Sequence, residues 1–202
     1  MSRARMLRRA ALGALLLACV VPAAAAMDAE SVLTKGTWAL GLQVGGGQQN
    51  NVENHRTISG VSLVNVEPRL GYFPFEQFGK GWLKGALETG LEGWFQYYLE
   101  PDTATAEGLK LALRYHVLGF GPLVPYIEAA GGAGGTNLKV REIRSTFTFV
   151  VEAGAGVSYF VTREMAINAG YRFQHLSNGH TASPNRGVNS DSGIIGLTYY
   201  FK

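Results

Sequence analysis

A two-residue rhythm of apolar and polar side chains runs through most of this chain and limits what it can fold into. In Thr37 to Gly45, Trp38, Leu40, Leu42 and Val44 share one face, while Ala39, Gly41, Gln43 and Gly45 share the other. That is the period of a β-strand. The contrast sharpens in Ala86 to Tyr98, where Leu87, Leu91, Phe95 and Tyr97 oppose Glu88, Glu92 and Gln96. In Leu109 to Val117 the apolar residues alternate with Lys110, Ala112, Arg114 and His116. Phe147 to Tyr159, Met165 to Ser177 and Ser192 to Phe201 behave alike, and Ile58 to Tyr72 and Val124 to Gly132 are weaker versions. Eight strands are predicted.

The connections are expected to alternate in length. Long polar ones are read at Gly46 to Thr57, Leu99 to Glu107, Gly135 to Ser145 and Asn178 to Asp191, and shorter ones at Phe73 to Gly81, Gly119 to Pro122 and Val161 to Glu164. An even strand number with long loops on one side and short turns on the other is the habit of an outer-membrane barrel. A soluble barrel or sandwich shows the same alternation, with its apolar faces turned inward.

Three features favour the membrane barrel. Arg3, Arg5, Arg8 and Arg9 precede the apolar run Ala10 to Val21, and Pro22 leads into four alanines, the pattern of a secretory signal peptide cleaved before Met27. Aromatic residues stand near strand ends, among them Trp38, Tyr72, Trp94, Tyr97, Tyr98, Tyr126, Tyr159, Tyr171, Tyr199 and Tyr200. The last strand ends in alternating aromatics up to Phe201, followed by Lys202. The expected organisation is therefore a signal peptide over 1–26 and an all-β, eight-stranded antiparallel transmembrane β-barrel over 27–202, placed in a bacterial outer membrane.

Composition fits. Charged residues are 16% of the 202 and glycines number 27, poorer in charge and richer in Gly than a soluble domain. Loss of residues 1–26 removes four Arg and no acid, leaving 14 basic against 15 acidic residues. No positive excess remains to neutralise phosphates, so nucleic acid is excluded as a partner. The single Cys, Cys19, leaves with the signal. Leu16-Leu17-Ala18-Cys19 faintly resembles a lipoprotein box, but the reading preferred is a Cys inside an apolar run, and neither a disulfide nor a thiol nucleophile is expected.

Eight strands enclose an interior that side chains just fill, which disfavours transport. The polar faces then line the lumen, where Glu88 and Glu92 are expected to meet Lys110 and Arg114 as a structural charge network. The clusters Gly45 to Gly47 and Gly131 to Gly135 lack the Gly-Lys-Ser/Thr of a phosphate loop. His55, expected to be solvated in a loop, and His116, facing the lumen, give with His175 and His180 no metal-ligand spacing. Asp102 and Glu107 match no calcium pattern. Neither metal nor cofactor is expected.

The most informative stretch runs from Tyr171 to Asn189. His175 and Ser177 lie two apart, on the face set by Met165, Ile167, Tyr171 and Phe173, which looks toward lipid. Polar groups on that face cost transfer energy unless they sit near the interface. With both termini in the periplasm, strand seven runs outward, so the pair lies in the outer leaflet and Asn178 to Asp191 is extracellular. The last strand brings Asn189 or Asp191 beside His175.

This segment, His-x-Ser-Asn followed by Pro184-Asn185-Arg186-Gly187 and a final aromatic strand, resembles the PagL family of outer-membrane lipid A 3-O-deacylases. The specific match covers Phe173 to Asn189. The resemblance implies a carboxylic ester hydrolase in which Ser177 is the nucleophile and His175 its base. It also implies Asn178, Gly179, Asn185 and Gly187 as oxyanion or substrate-binding groups, with Asn185 the preferred donor. His180 stands where the family often has Gly. Asn189 stands where the family's Glu is expected, and it is taken as the third catalytic residue in preference to Asp191. An Asn orients an imidazole but adds no charge. The implied partner is lipid A of lipopolysaccharide in the outer leaflet, and a homodimer is left open. The rival readings are a noncatalytic barrel binding a partner through its loops and a phospholipid esterase on the same scaffold.

Overall fold

The computed structural model describes residues 28–202, so the expected signal peptide lies outside the described residues. Within them, β1 (Trp38–Gln49), β2 (Ser62–Tyr72), β3 (Gly85–Glu100), β4 (Ala104–Val117), β5 (Leu123–Thr136), β6 (Phe147–Phe160), β7 (Met165–Ser177) and β8 (Val188–Phe201) form a closed barrel. Every pairing is antiparallel between chain neighbours, and β1 closes on β8 from Trp38 opposite Phe201 to Gln49 opposite Ser190. Closure leaves no free sheet edge, which is what a strand-built membrane span requires. None of the described helices is long and apolar enough to cross a membrane.

Two connections differ from expectation. The supposed long loop from Leu99 to Glu107 is only Pro101 to Thr103, because β3 and β4 extend past the apolar alternation and stay paired to Tyr98 opposite Ala104. The supposed short turn from Phe73 to Gly81 runs to Lys84 and contains a 3-10 turn at Gly81–Leu83. Likewise β8 begins at Val188 rather than Ser192, which puts Asn189 inside the sheet.

Side chains alternate across the wall. Leu40, Leu42 and Val44 of β1, Leu109, Leu111 and Leu113 of β4 and Ile195, Leu197 and Tyr199 of β8 point outward, and Leu111 leaves 73% of its surface uncovered. Such stripes are incompatible with water and match the hydrocarbon of a bilayer. The lumen has three tiers. Leu33, Phe73, Leu118, Phe160 and Tyr200 fill the periplasmic end, and Leu63, Trp94, Tyr98, Ile143, Leu176 and Val188 fill the extracellular end. Trp94, Tyr98, Tyr126 and Tyr200, counted in the sequence among strand-end aromatics, are buried inside.

Between these tiers lie buried charges. Lys110 Nζ is 2.6 Å from Glu152, 3.2 Å from Glu67 and 3.3 Å from Glu92. Arg69 pairs with Glu88 at 2.9 Å, and Arg114 meets Glu128, its neighbour on β5, at 2.7 Å rather than Glu88, its neighbour on β3. Arg172 reaches Glu128 at 2.8 Å. The expected network is present with its partners partly exchanged, since each inward side chain has a neighbour on either flanking strand, and Lys110 and Arg172 also reach Glu67 on β2 across the lumen. An unpaired charge here would carry a large desolvation cost, so the network must be nearly complete for the barrel to close.

Candidate active site

The outer end of β7 meets the start of β8 with His175 opposite Asn189 and Leu176 opposite Val188. Leu176 and Val188 turn inward into the apolar tier. That parity leaves His175 and Ser177 half-buried on the outer face. His175 Nδ1 is 2.6 Å from Asn189 Oδ1. Ser177 lies opposite Phe149 of β6, and no hydrogen bond joins its hydroxyl to His175 among the described residues. Two positions along a strand separate the residues by about 6.6 Å, within joint reach of a hydroxyl and an imidazole.

The loop from Asn178 to Gly187 is tied to itself. The Asn178 backbone N–H donates to Asn185 Oδ1 at 2.8 Å, its side-chain amide donates to Ala182 O at 3.0 Å and Pro184 O at 3.2 Å, and its Oδ1 accepts from the His180 N–H at 3.0 Å. Asn178 is thus a loop organiser whose donors are occupied. Asn185 turns its NH2 group to His180 Nδ1, at 3.3 Å. Gly179, at φ +61°, sits against the Phe149 ring. Gly187 has φ +74°, and a Cβ built on it would stand 2.5 Å from His175 Cε1. Its role is steric, because the imidazole rests where any side chain would be.

A residue from the far end of the chain completes the surroundings. The β1–β2 loop leaves the sheet beside β8, with the Asn50 N–H donating to Asn189 O at 2.9 Å. Three residues later, Glu53 Oε1 accepts from Asn189 Nδ2 at 3.0 Å, and Glu53 Oε2 is 2.7 Å from His55 Nε2. These hydrogen bonds, from Asn189 first and His55 second, hold the Glu53 carboxyl below the ordinary carboxylate range. His55, expected to be solvated, is a partner of Glu53.

The model of the family described as lipid A 3-O-deacylase (PagL) matches residues 64–198. The chain belongs to the PagL family. Among solved structures, the outer-membrane enzyme PagL is 18% identical, with a TM-score of 0.54 over 78% of this chain and 97% of its own. Neisserial surface protein A is 16% identical, with a TM-score of 0.57 over 83% of this chain and 100% of its own. At these identities both share the barrel architecture. A search of curated proteins finds no match. Family and fold together place the protein in the bacterial outer membrane.

The register puts Asn189, and not Asp191, opposite His175. Asp191 lies opposite Phe173, two register positions from that pair, and accepts from the Tyr171 hydroxyl. Glu53 was missed because the signal that finds it is barrel closure, which joins positions 136 residues apart. Among the described residues, the three acids close enough to share a cation are Glu67, Glu92 and Glu152. The Lys110 ammonium lies among them, so that cluster is no metal centre.

Proposed function

We propose that this member of the PagL family is a serine esterase that hydrolyses an ester-linked acyl chain, at the 3-O position, of lipid A in the outer leaflet. The observation that carries the reading is the 2.6 Å contact between His175 and Asn189 on the lipid-facing wall, two residues from Ser177. A bonded polar pair on a face otherwise turned to hydrocarbon costs transfer energy, and acyl transfer on a membrane lipid gives it a use.

The steps follow from the donor pattern. With the His175 Nδ1–H donating to Asn189 Oδ1, Nε2 presents a lone pair. Nε2 takes the Ser177 hydroxyl proton as Oγ attacks the ester carbonyl, giving a tetrahedral oxyanion. Its donors are assigned to the Gly179 N–H and to the Asn185 NH2, which must turn from His180 Nδ1 to serve. Collapse breaks the bond to the sugar oxygen, which leaves with the proton from His175. Water, deprotonated in turn by His175, releases the fatty acid and regenerates Ser177.

Mass spectrometry of lipid A from cells producing the protein tests this. The expected result is loss of one hydroxyacyl chain, abolished by Ser177→Ala and by His175→Ala while each variant still inserts in the outer membrane. Unchanged lipid A with the intact protein, or wild-type loss with either variant, overturns the reading. Release of fatty acid from phospholipid instead would reassign the substrate.

A further inference from the structure

In this chain the charge expected at position 189 is absent, yet an anion stands one hydrogen bond behind it. Asn189 offers its oxygen to His175 and its NH2 group to Glu53. A carboxylate only accepts, so an ionised Glu53 fixes which end of the amide faces it. The amide oxygen must then face His175, and the nitrogen it touches must be the protonated one. Reversed, the amide would donate to Nδ1, move the proton to Nε2 and leave nothing to accept from Ser177.

We propose that Glu53 is a positioning residue for the reaction at Ser177, setting the direction of the Asn189 amide and supplying through it the negative charge that a carboxylate at 189 would supply directly. The inference rests on the reading above. The loop is built to hold Glu53 in place. Asn51 closes it by accepting from the His55 N–H and donating to His55 O, both at 2.8 Å, and His55 then holds the second carboxylate oxygen. The Asn50 N–H bond to Asn189 O ties the loop to β8 at the residue being oriented. The depressed protonation of Glu53 keeps it anionic at neutral pH. During turnover, as His175 gains a proton, the polarised amide passes on part of that stabilisation.

The test combines Glu53→Gln, Glu53→Ala, Asn189→Glu and the double variant Asn189→Glu/Glu53→Gln, each purified in detergent with outer-membrane insertion checked first. Glu53→Gln keeps an acceptor and loses the charge. It should lower kcat about tenfold, the difference between a charged and a neutral hydrogen bond, with KM unchanged. In the Asn189→Glu background the same substitution should raise kcat, because it removes one of two facing carboxylates. Proton-nitrogen NMR of the imidazole should show the Nδ1–H form in the intact protein and a growing Nε2–H form in Glu53→Ala.

Wild-type kcat in Glu53→Ala, or an equal loss from Glu53→Gln in both backgrounds, overturns the proposal and reduces Glu53 to a loop anchor. So does an unchanged tautomer in Glu53→Ala. The NMR result stands apart from hydrolysis. If the intact protein hydrolyses nothing while the tautomer follows Glu53, the functional reading fails and the catalytic part of the inference falls with it, while the orientation of the Asn189 amide by Glu53 stands.

Discussion

Replacing Gly187 by alanine should damage turnover far more than it damages the barrel, and the structure gives the size of both effects. The added Cβ would lie 2.5 Å from His175 Cε1 and 3.1 Å from Nε2. Ordinary contact begins near 3.4 Å, so the ring must retreat by roughly 0.9 Å. A displacement of about 1 Å in a catalytic group costs on the order of a hundredfold in rate, and this one also stretches the 2.6 Å bond to Asn189. The backbone adds its own penalty, since φ of +74° costs an L-residue about 1–2 kcal/mol. Gly60 provides the matched control, with the same φ of +74° and nothing within 4 Å of its Cβ position. Gly60→Ala should carry the strain without the clash. The assay is lipid A hydrolysis in detergent micelles, paired with urea unfolding of both variants. Both should lose similar stability, and only Gly187→Ala should lose about two orders of magnitude in kcat. Equal kcat in the two variants would refute the claim that Gly187 exists to make room for the imidazole.

Two further outcomes are expected. Lys110→Met removes the cation from among Glu67, Glu92 and Glu152, and stranding buried carboxylates in this way costs about 3–5 kcal/mol; urea unfolding should show a lower midpoint, and an unchanged midpoint would show that the network contributes little. In the β5–β6 loop, burial raises the Glu142 carboxyl, but the Ser59 hydroxyl and N–H outweigh it and leave the group below its ordinary value of 4.5. A carboxyl depressed in the folded state adds stability that is full above its unfolded value and is lost as pH falls through the folded one. Docking of this loop on the β1–β2 loop should therefore weaken only below about pH 4.5, read as loss of hydrogen-exchange protection at the Ser59 amide. Protection that weakens between pH 8 and 6 would contradict the assignment.

Most of the barrel was readable because parity is a local property. Once Leu109, Leu111 and Leu113 face lipid, Lys110 and Arg114 have to face inward, and no distant information is needed. The same arithmetic placed His175 and Ser177 outside but left Asn189 and Asp191 level, because both are odd-numbered; the preference for Asn189 came from the resemblance, and the β7–β8 register puts that residue opposite His175. Aromatic residues misled where chemistry alone was used: Trp94 and Tyr98 are even-numbered in β3, like Glu88 and Glu92, and parity rather than ring type decides their side. Loop length was misread at Pro101 to Thr103 because strands outside hydrocarbon lose the apolar contrast while keeping their hydrogen bonds. Glu53 was beyond any local rule. It reaches Asn189 only because β1 and β8 are neighbours in a closed sheet, and nothing in residues 50–60 announces that.

On the proposed function, the outward direction of His175 and Ser177 fixes how a substrate arrives. A side chain on the outer wall, with the lumen beneath it stoppered by Trp94, Tyr98 and Ile143, meets only what the leaflet carries sideways. Encounter is then a two-dimensional search, and its rate follows lateral density and leaflet fluidity, so adding lipid to bulk solution does nothing unless that lipid enters the same monolayer. Traffic in the plane governs such a site, and cooling that stiffens the monolayer should slow it even where every bond in the protein is unchanged.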